Sequence, residues 1–360
     1  MEAKKSNKLE KTSRRKGNLL ARASSRLPPR YIVKRLIERF ILLFAIVNFL
    51  FFVFWVFPLY IAHFNPAEFY VPLNYKNINR DAEVQALDRQ FGFDKPVYVQ
   101  YVDYITSMLT FHFGYSLIYD QSITSLIISH LPVDLIILIP SLILSTVLAV
   151  GLGLFSALRY GRLADVINSN LAIITYFIPA FWLLTIILDY LGFTLNLFPT
   201  NIVGALTGHN GEPLKGLAYV AGLLKFSALP IILLTFLSYG IRMVLTKASA
   251  VEVMGSHFIT YLRAKGIPES RVVFRHVLRN SIIPALTRVG VDFAFVITGS
   301  VFVEEIFNFQ GVGLLLLQAA ENVDIPVLGA SFFIINFYII VVLLILDFVY
   351  PFIDPRVKYE

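Results

Sequence analysis

The chain has 360 residues, of which 57% are hydrophobic, 14% aromatic and only 15% charged. Soluble proteins usually carry about a quarter charged residues, so this composition excludes an ordinary soluble fold. The chain has no cysteine, which excludes disulfides, thiolate metal sites and cysteine nucleophiles. The formal net charge is +7, and 13 of the 31 Lys and Arg residues lie within residues 1–39.

Six apolar segments follow this basic tail as candidate transmembrane helices, although 171–188 is slightly short and 226–241 relies on a softer apolar stretch before it that includes Lys225. A helix of about 20 residues spans the hydrocarbon core, whereas a barrel strand needs only about ten alternating residues. The predicted spans are 40–62, 135–158, 171–188, 226–241, about 284–303 and about 327–346. The predicted fold class is therefore all-α, a polytopic membrane protein with six transmembrane helices.

Loop charges orient these helices, because Lys and Arg are retained on the cytoplasmic side. We therefore predict a cytoplasmic basic tail at 1–39 and a first transmembrane helix at 40–62. Segment 63–132 then lies outside, and it carries four basic and seven acidic residues.

The remaining loops agree with this orientation. Residues 133–350 form a predicted five-helix core. Within it, loop 242–283 has seven basic and two acidic residues and is placed inside. Segment 304–326 has four acidic residues and no Lys or Arg, and is placed outside. A short tail, 351–360, returns to the cytoplasm, so we expect a multi-pass protein of the cell membrane with both termini cytoplasmic.

The basic tail is typical of a solvated segment or a patch that lies on anionic lipid, and no nucleic-acid partner is expected. Residues 12–15 read Thr-Ser-Arg-Arg, as in a twin-arginine export signal. The first apolar run is 23 residues long, however, and export signals have 7–15, so we interpret it as a retained helix.

The long outer segment has a helical pattern of its own. Apolar residues at 98, 101, 102, 105, 108 and 109 are predicted to form one face, with Gln100 and Asp103 on the other. An external helical subdomain that covers the bundle mouth or docks a partner is one interpretation, and passive packing is the alternative.

The inner loop predicts two short helices joined by a glycine. Ser256 is placed to cap a helix over 257–265, and Gly266 ends it in a left-handed conformation before Pro268. A second helix from Pro268 presents Arg residues at 271, 275 and 279 on one face. Such a hairpin is a compact lever beneath the bundle, and an amphipathic hairpin that lies on anionic headgroups is the alternative.

Motifs of nucleotide-binding, metal-dependent and hydrolytic enzymes are absent from the sequence. No catalytic residue and no metal ligand are therefore predicted. Arg288 and Asp292 stand four residues apart in the fifth span, where charges are costly and mark functional candidates. A static ion pair and a role in the transport pathway both remain open.

The hairpin sequence resembles the cytoplasmic coupling loop of binding-protein-dependent ATP-binding-cassette importer permeases of the dipeptide and oligopeptide type. The pieces that carry the resemblance are Arg263-Ala264-Lys265-Gly266-Ile267 and His276-Val277-Leu278-Arg279-Asn280-Ser281-Ile282-Ile283-Pro284. Weaker family-like pieces occur in order along almost the whole chain: 91–96 with Gln100-Tyr101, 113–116, Leu131-Pro132, 178–182, 197–199, 303–307 with Gly311-Val312-Gly313, 324–327 and Asp354-Pro355-Arg356.

This resemblance implies a type I importer fold with the external subdomain and the coupling loop described above. The implied ATPase-coupling residues are His257, Phe258, Thr260, Tyr261, Arg263, Ala264, Lys265, Gly266, Ile267, Arg275, Arg279 and Asn280. The candidate residues of the substrate pathway are Arg288, Asp292, Glu304 and Glu305.

The resemblance also implies partners. They are a second homologous permease, two ATP-binding subunits and an external binding protein that delivers peptides or oligosaccharides. No cofactor is expected in this chain, and ATP and magnesium are expected on the ATP-binding subunits. An ion-coupled secondary transporter is the alternative, although only Asp292 stands out as an intramembrane carboxylate.

Three positions depart from the usual family pattern. Residues 257–262 are bulkier than is usual before the Arg-Ala-Lys-Gly sequence, which implies a different partner groove. Gln310 replaces a common proline, and His112 replaces a common acidic residue.

Overall fold

The computed structural model describes residues 28–71, 79–208, 212–299 and 301–353. Residues 1–27 of the basic tail and residues 354–360, with their Asp-Pro-Arg motif, lie outside these ranges. The first half of the chain contains α1 (Pro29–Phe51, continued by a π-helical stretch Phe52–Ile61), a 3-10 turn (Pro66–Tyr70), α2 (Arg80–Phe91), α3 (Val97–Thr110), β1 (Tyr115–Ser116), β2 (Gln121–Ser122), α4 (Ile123–Leu158), α5 (Leu163–Phe177) and α6 (Ala180–Ile187, continued by a π-helical stretch Leu188–Thr194).

The second half continues with further helices, and β1 and β2 form a small antiparallel hairpin. The helices are α7 (Ile202–Leu206), α8 (Gly216–Met254), α9 (His257–Ala264), α10 (Glu269–Arg271, continued by a π-helical stretch Val272–Val277), α11 (Leu278–Ser281), α12 (Ile283–Gly299), α13 (Val301–Phe307), α14 (Val312–Glu321) and α15 (Ile325–Ile353).

The helical membrane fold predicted from hydropathy is confirmed. Four stretches are long and apolar enough to cross a membrane, namely Pro29–Ile61, Ile123–Leu158, Gly216–Met254 and Ile325–Val349. Two bent pairs raise the number to six if each pair counts as one span: Leu163–Phe177 with Ala180–Thr194, and Val301–Phe307 with Val312–Glu321. The second pair lies mostly in segment 304–326, which was predicted as an external loop, and the predicted fifth span, about 284–303, is not one of these six.

The first helix begins at Pro29, well before the predicted start at residue 40. Proline suits the first turn of a helix because its missing N–H has no partner there in any case. The early turns are also held by the last helix, since Arg39 Nε and Nη2 donate to Asp347 Oδ2 at 3.0 and 2.6 Å. Hydropathy alone misses this charged part of α1.

The predicted third span, 171–188, is not one straight helix. The third is broken after Phe177, where α5 and the following helix make an angle of 98°. Ile178 is extended (φ −65°, ψ 128°), as the residue before Pro179 is expected to be. The fifth predicted span begins as α12 (Ile283–Gly299) and continues in α13 from Val301, with residue 300 between them outside the described ranges.

The centre of the fold is the contact between α4 and α8. Gly153 permits it, because a Cβ at that position would lie 2.7 Å from Thr246 Cβ and 2.8 Å from the Met243 carbonyl oxygen. An apolar cluster joins α6, α8, α13 and Phe309, whose ring lies tilted against that of Phe226 with the centroids 4.5 Å apart.

The segment between α1 and α4 forms a subdomain, and we call its residues 79–122 the α2–α3 subdomain. The helix predicted there is present as α3, but its buried face is not the predicted one. Met108 of the predicted apolar face is buried, but so are Gln100, which was placed on the polar face, and Tyr104, whereas Tyr98 is 72% exposed. The buried face packs on α1, the start of α4 and α15.

Candidate functional site

The loop that resembles a coupling loop folds as a helical hairpin, and we call residues 257–281 the basic hairpin. Its first limb, α9, ends before Gly266, which has a left-handed φ of +73°. This part of the prediction is confirmed. Ser256 occupies the position before the helix, but its hydroxyl donates to the Val253 carbonyl oxygen at 2.7 Å and forms no cap hydrogen bond. The prediction of a serine cap was therefore wrong.

The second limb starts at Glu269, directly after Pro268, as predicted. It then widens into a π-helical stretch over Val272–Val277 before α11. Its three arginines, at 271, 275 and 279, are all exposed, and Asn280 Nδ2 donates to the His276 carbonyl oxygen at 2.7 Å.

Apolar side chains bind the hairpin to the ends of the two central helices. Ile259 and Leu262 of the first limb and Val272, Val273 and Val277 of the second are buried. They pack against Leu154 and Ala157 at the end of α4 and Ala250 near the end of α8. The hairpin is therefore packed directly against the ends of both central helices.

The opposite side of the first limb is exposed and carries most of the predicted coupling residues. His257, Phe258, Thr260, Tyr261, Arg263, Ala264, Lys265 and Gly266 are exposed, whereas Ile267 is half-buried. The Phe258 and Tyr261 side chains are 49% and 56% exposed. Phe258 contacts the His276 ring edge-on at 5.6 Å, and Lys265 Nζ lies 4.7 Å from the Tyr261 ring centroid.

Arg263 joins the two limbs. Its Nε and Nη2 donate to the two carboxylate oxygens of Glu269 at 3.1 and 2.6 Å. These hydrogen bonds lower the pKa of Glu269 and raise that of Arg263. An exposed ion pair therefore connects the two limbs, and the charge of Arg263 is matched within the chain.

A buried charge network connects α4, α8 and α12. The predicted pair is confirmed, since Arg288 Nε lies 2.8 Å from Asp292 Oδ1. Asp292 Oδ2 also accepts a hydrogen bond of 2.8 Å from Nη1 of Arg242, which the sequence analysis had counted among the inner-loop charges. Arg242 is fully buried in the middle of α8, where its Nη2 donates to Ser145 Oγ at 2.5 Å and to the Ser238 carbonyl oxygen at 2.9 Å.

The other two pathway candidates lie apart from this network and differ from each other. Glu304 is fully buried and accepts a hydrogen bond of 2.8 Å from the Leu314 amide, whereas Glu305 is exposed. Asp134, which the sequence analysis missed, is buried nearby and accepts from the Val312 amide at 3.2 Å. A Cβ at Gly311 would collide with both carboxylates, so only glycine fits there.

Comparison with known proteins identifies the family. Residues 149–359 match the family described as "Binding-protein-dependent transport system inner membrane component", and residues 29–138 match its separate N-terminal family. The dipeptide transport system permease protein DppB of Lactococcus lactis is 33% identical over 330 residues, which are 91% of this chain and 99% of the relative.

Other similar proteins have related names. A putative peptide permease of Brucella ovis is 32% identical over 77% of this chain and 85% of the relative. The glutathione transport system permease protein GsiC of Salmonella choleraesuis is 31% identical over 78% of this chain and 86% of the relative. The chain therefore belongs to the inner-membrane components of binding-protein-dependent transport systems, the permease subunits of ATP-binding-cassette importers.

Proposed function

We propose that this permease forms half of a pathway that imports short peptides, with an external binding protein as the donor and ATP hydrolysis on separate subunits as the energy source. The relatives named as dipeptide, peptide and glutathione permeases support a peptide substrate. The absence of a phosphate-binding loop from the sequence supports hydrolysis on another chain.

The observation that carries this proposal is the construction of the basic hairpin. One side of it is exposed and aromatic, and the other is buried against the ends of α4 and α8. Exposed aromatic residues are typical of protein interfaces, where they anchor a partner. A partner that moves on this face therefore moves two central helices together, as a coupling element must.

The complete assembly follows from the same proposal. A second homologous permease completes the pathway, and two ATP-binding subunits, with ATP and magnesium, dock on the two hairpins. The basic hairpin lies in the cytoplasm, with both termini on the same side, because its loop has seven basic residues against two acidic ones. The chain then catalyses no covalent step.

The proposal is tested by introducing backbone strain at Gly266, the turn of the basic hairpin. A β-branched residue in the left-handed region costs about 1–2 kcal/mol, and Gly266→Val relieves that strain by tilting or unwinding the end of α9. A Cβ at Gly266 meets no atom within 4 Å in the described structure, so the substitution introduces no collision. We expect normal expression and membrane insertion, but loss of ATP-binding-subunit association, of substrate-stimulated ATP hydrolysis and of uptake.

Gly161 offers a matched control. Its φ is +76°, and a Cβ there also meets no atom within 4 Å of the described chain. Gly161→Val carries the same backbone penalty in a different loop and should retain coupling. Equal loss of coupling in both variants, or uptake by Gly266→Val that an ion gradient drives in ATP-depleted vesicles, would contradict the proposal, and the second result would establish a secondary transporter.

A further inference from the structure

Two buried carboxyl groups, those of Asp134 and Glu304, meet at the bend between α13 and α14. Asp134 is 1% exposed, and Glu304 is fully buried. A Cβ on Gly311 would collide with Asp134 Oδ1 and Glu304 Oε2 at the same time, so both oxygens face the same point in the fold. The two side chains lie within hydrogen-bond reach of each other. The missing side chain of Gly311 therefore allows acids from two distant parts of the chain to come together.

One oxygen of each carboxyl group has a backbone donor at the start of α14. Asp134 Oδ2 accepts from the Val312 amide at 3.2 Å, and Glu304 Oε2 accepts from the Leu314 amide at 2.8 Å. The first turn of a helix favours negative charge, because its N–H groups are unpaired and the helix dipole is positive there. That dipole is equivalent to roughly half a positive charge, which is too little to compensate two ionised carboxylates.

The other oxygen of Asp134 needs a donor. Oδ1 faces Glu304 but has no hydrogen-bond partner in the described part of the chain. Two ionised carboxylates contain only acceptors, so they cannot bond each other. Tyr338 of α15 is another titratable group that interacts with Asp134, but its hydroxyl donates to the Phe293 carbonyl oxygen at 2.8 Å. A proton on one carboxyl group supplies the missing donor and removes one of two buried like charges.

We propose that Asp134 and Glu304 form a proton-binding site, in which the two carboxyl groups share one proton. The proton converts two acids that repel each other into a hydrogen-bonded pair with a single negative charge, which the first turn of α14 stabilises. This pair joins α4 to the 80° bend between α13 and α14.

The position of this site along α4 gives it a role beyond the proposed function. Asp134 and Leu154 are 20 residues apart, which is about 30 Å along a helix, and the basic hairpin packs at Leu154. The shared proton therefore holds the end of α4 that lies opposite the hairpin. This role does not depend on which substrate is transported.

Infrared difference spectroscopy tests the shared proton directly, because the C=O stretch of a protonated carboxyl group is separate from the carboxylate bands. The full-length chain is measured at neutral pH in a maltoside detergent, which has no carbonyl groups. We expect Asp134→Asn and Glu304→Gln each to remove the same protonated-carboxyl band from the wild-type spectrum. Glu305→Gln changes the exposed neighbour of Glu304 and should leave that band in place.

Thermal unfolding separates a shared proton from an ordinary buried charge. In Asp134→Asn the amide oxygen can accept from Val312 and Nδ2 can donate to Glu304, as the proton does. We therefore expect this variant to unfold at the wild-type temperature or above, whereas Asp134→Leu, which has no donor, should unfold at a lower temperature. Asp165→Asn is the matched control, since Asp165 is also buried but pairs with Lys247 Nζ at 2.5 Å, and loss of that charge should lower the unfolding temperature.

The inference is overturned if the wild type has no protonated-carboxyl band, or if Asp134→Asn leaves the band in place. A band that only Glu304→Gln removes would assign the proton to Glu304 alone and would also exclude sharing. The same conclusion follows if Asp134→Asn lowers the unfolding temperature as much as Asp165→Asn. These measurements need no ATP, binding protein or peptide, so their outcome is separate from a failure of the proposed function.

Discussion

The three charges at the centre of the fold are expected to differ greatly in their contributions to stability. Asp292 bonds both Arg242 and Arg288, but Arg242 is fully buried whereas the Arg288 side chain is 41% exposed. Removing one partner of a buried pair costs about 3–5 kcal/mol, because the other charge remains without compensation. Exposed pairs contribute only about 0–1 kcal/mol.

These values rank the single substitutions by the free energy of unfolding that each is expected to cost. Asp292→Asn leaves two arginines, one of them buried, and should cost about 3–5 kcal/mol. Arg242→Met should cost less, because Asp292 is 20% exposed and keeps Arg288 at 2.8 Å. Arg288→Gln should cost at most about 1 kcal/mol. The double variant Arg242→Met/Asp292→Asn should be more stable than Asp292→Asn alone.

Reversible unfolding in mixed micelles, followed by circular dichroism, gives the free energies for this comparison. Ser145→Ala is a useful control, since it removes one hydrogen bond from Arg242 and leaves the ion pairs intact. The reasoning is refuted if Arg288→Gln is as destabilising as Asp292→Asn, or if the double variant loses the sum of the two single effects.

Two further predictions concern packing and orientation. Gly153→Leu should lower the free energy of unfolding by about 1–3 kcal/mol or more, because its Cβ collides with Thr246. Gly151→Leu on the same helix is the control, since a Cβ there meets no described atom within 4 Å. The same unfolding assay checks this, and equal effects would be inconsistent with close packing at Gly153. In this cysteine-free chain, Glu321→Cys should react with an impermeant thiol reagent in intact cells, whereas Lys265→Cys should not. Labelling at position 265 would reverse the orientation.

Features set by local sequence were predictable, and features set by distant contacts were not. The hairpin turn at Gly266 was predicted because the glycine and Pro268 act on their immediate neighbours. Arg242 was assigned to a loop because its partners, Ser145 and Asp292, are 97 and 50 residues away. Asp134 was missed for the same reason, since the amide it binds is 178 residues away.

Two features that the sequence analysis did not predict nevertheless had a signal in the sequence. Pro179 lies inside the predicted third span and restricts the residue before it, so a break there was foreseeable. Gln100 was assigned to a polar face by periodicity, yet its amide satisfies the carbonyls of Phe93 and Lys95 where the chain enters α3. An analysis of periodicity places an amide side chain on the polar face of a helix. It does not consider that the carbonyl groups of a turn just before the helix can accept hydrogen bonds from that amide.

The burial of Arg242 has a consequence for how the protein is made. Its partner Asp292 is 50 residues further along the chain, so at about 5–20 residues per second the ribosome delivers it roughly 3–10 s later. During that interval α8 carries an arginine about two-thirds of the way along its 39 residues that has no carboxylate partner. Ser145 is already synthesised and offers only a hydroxyl. The ion pair that neutralises Arg242 therefore forms only after α12 has been synthesised.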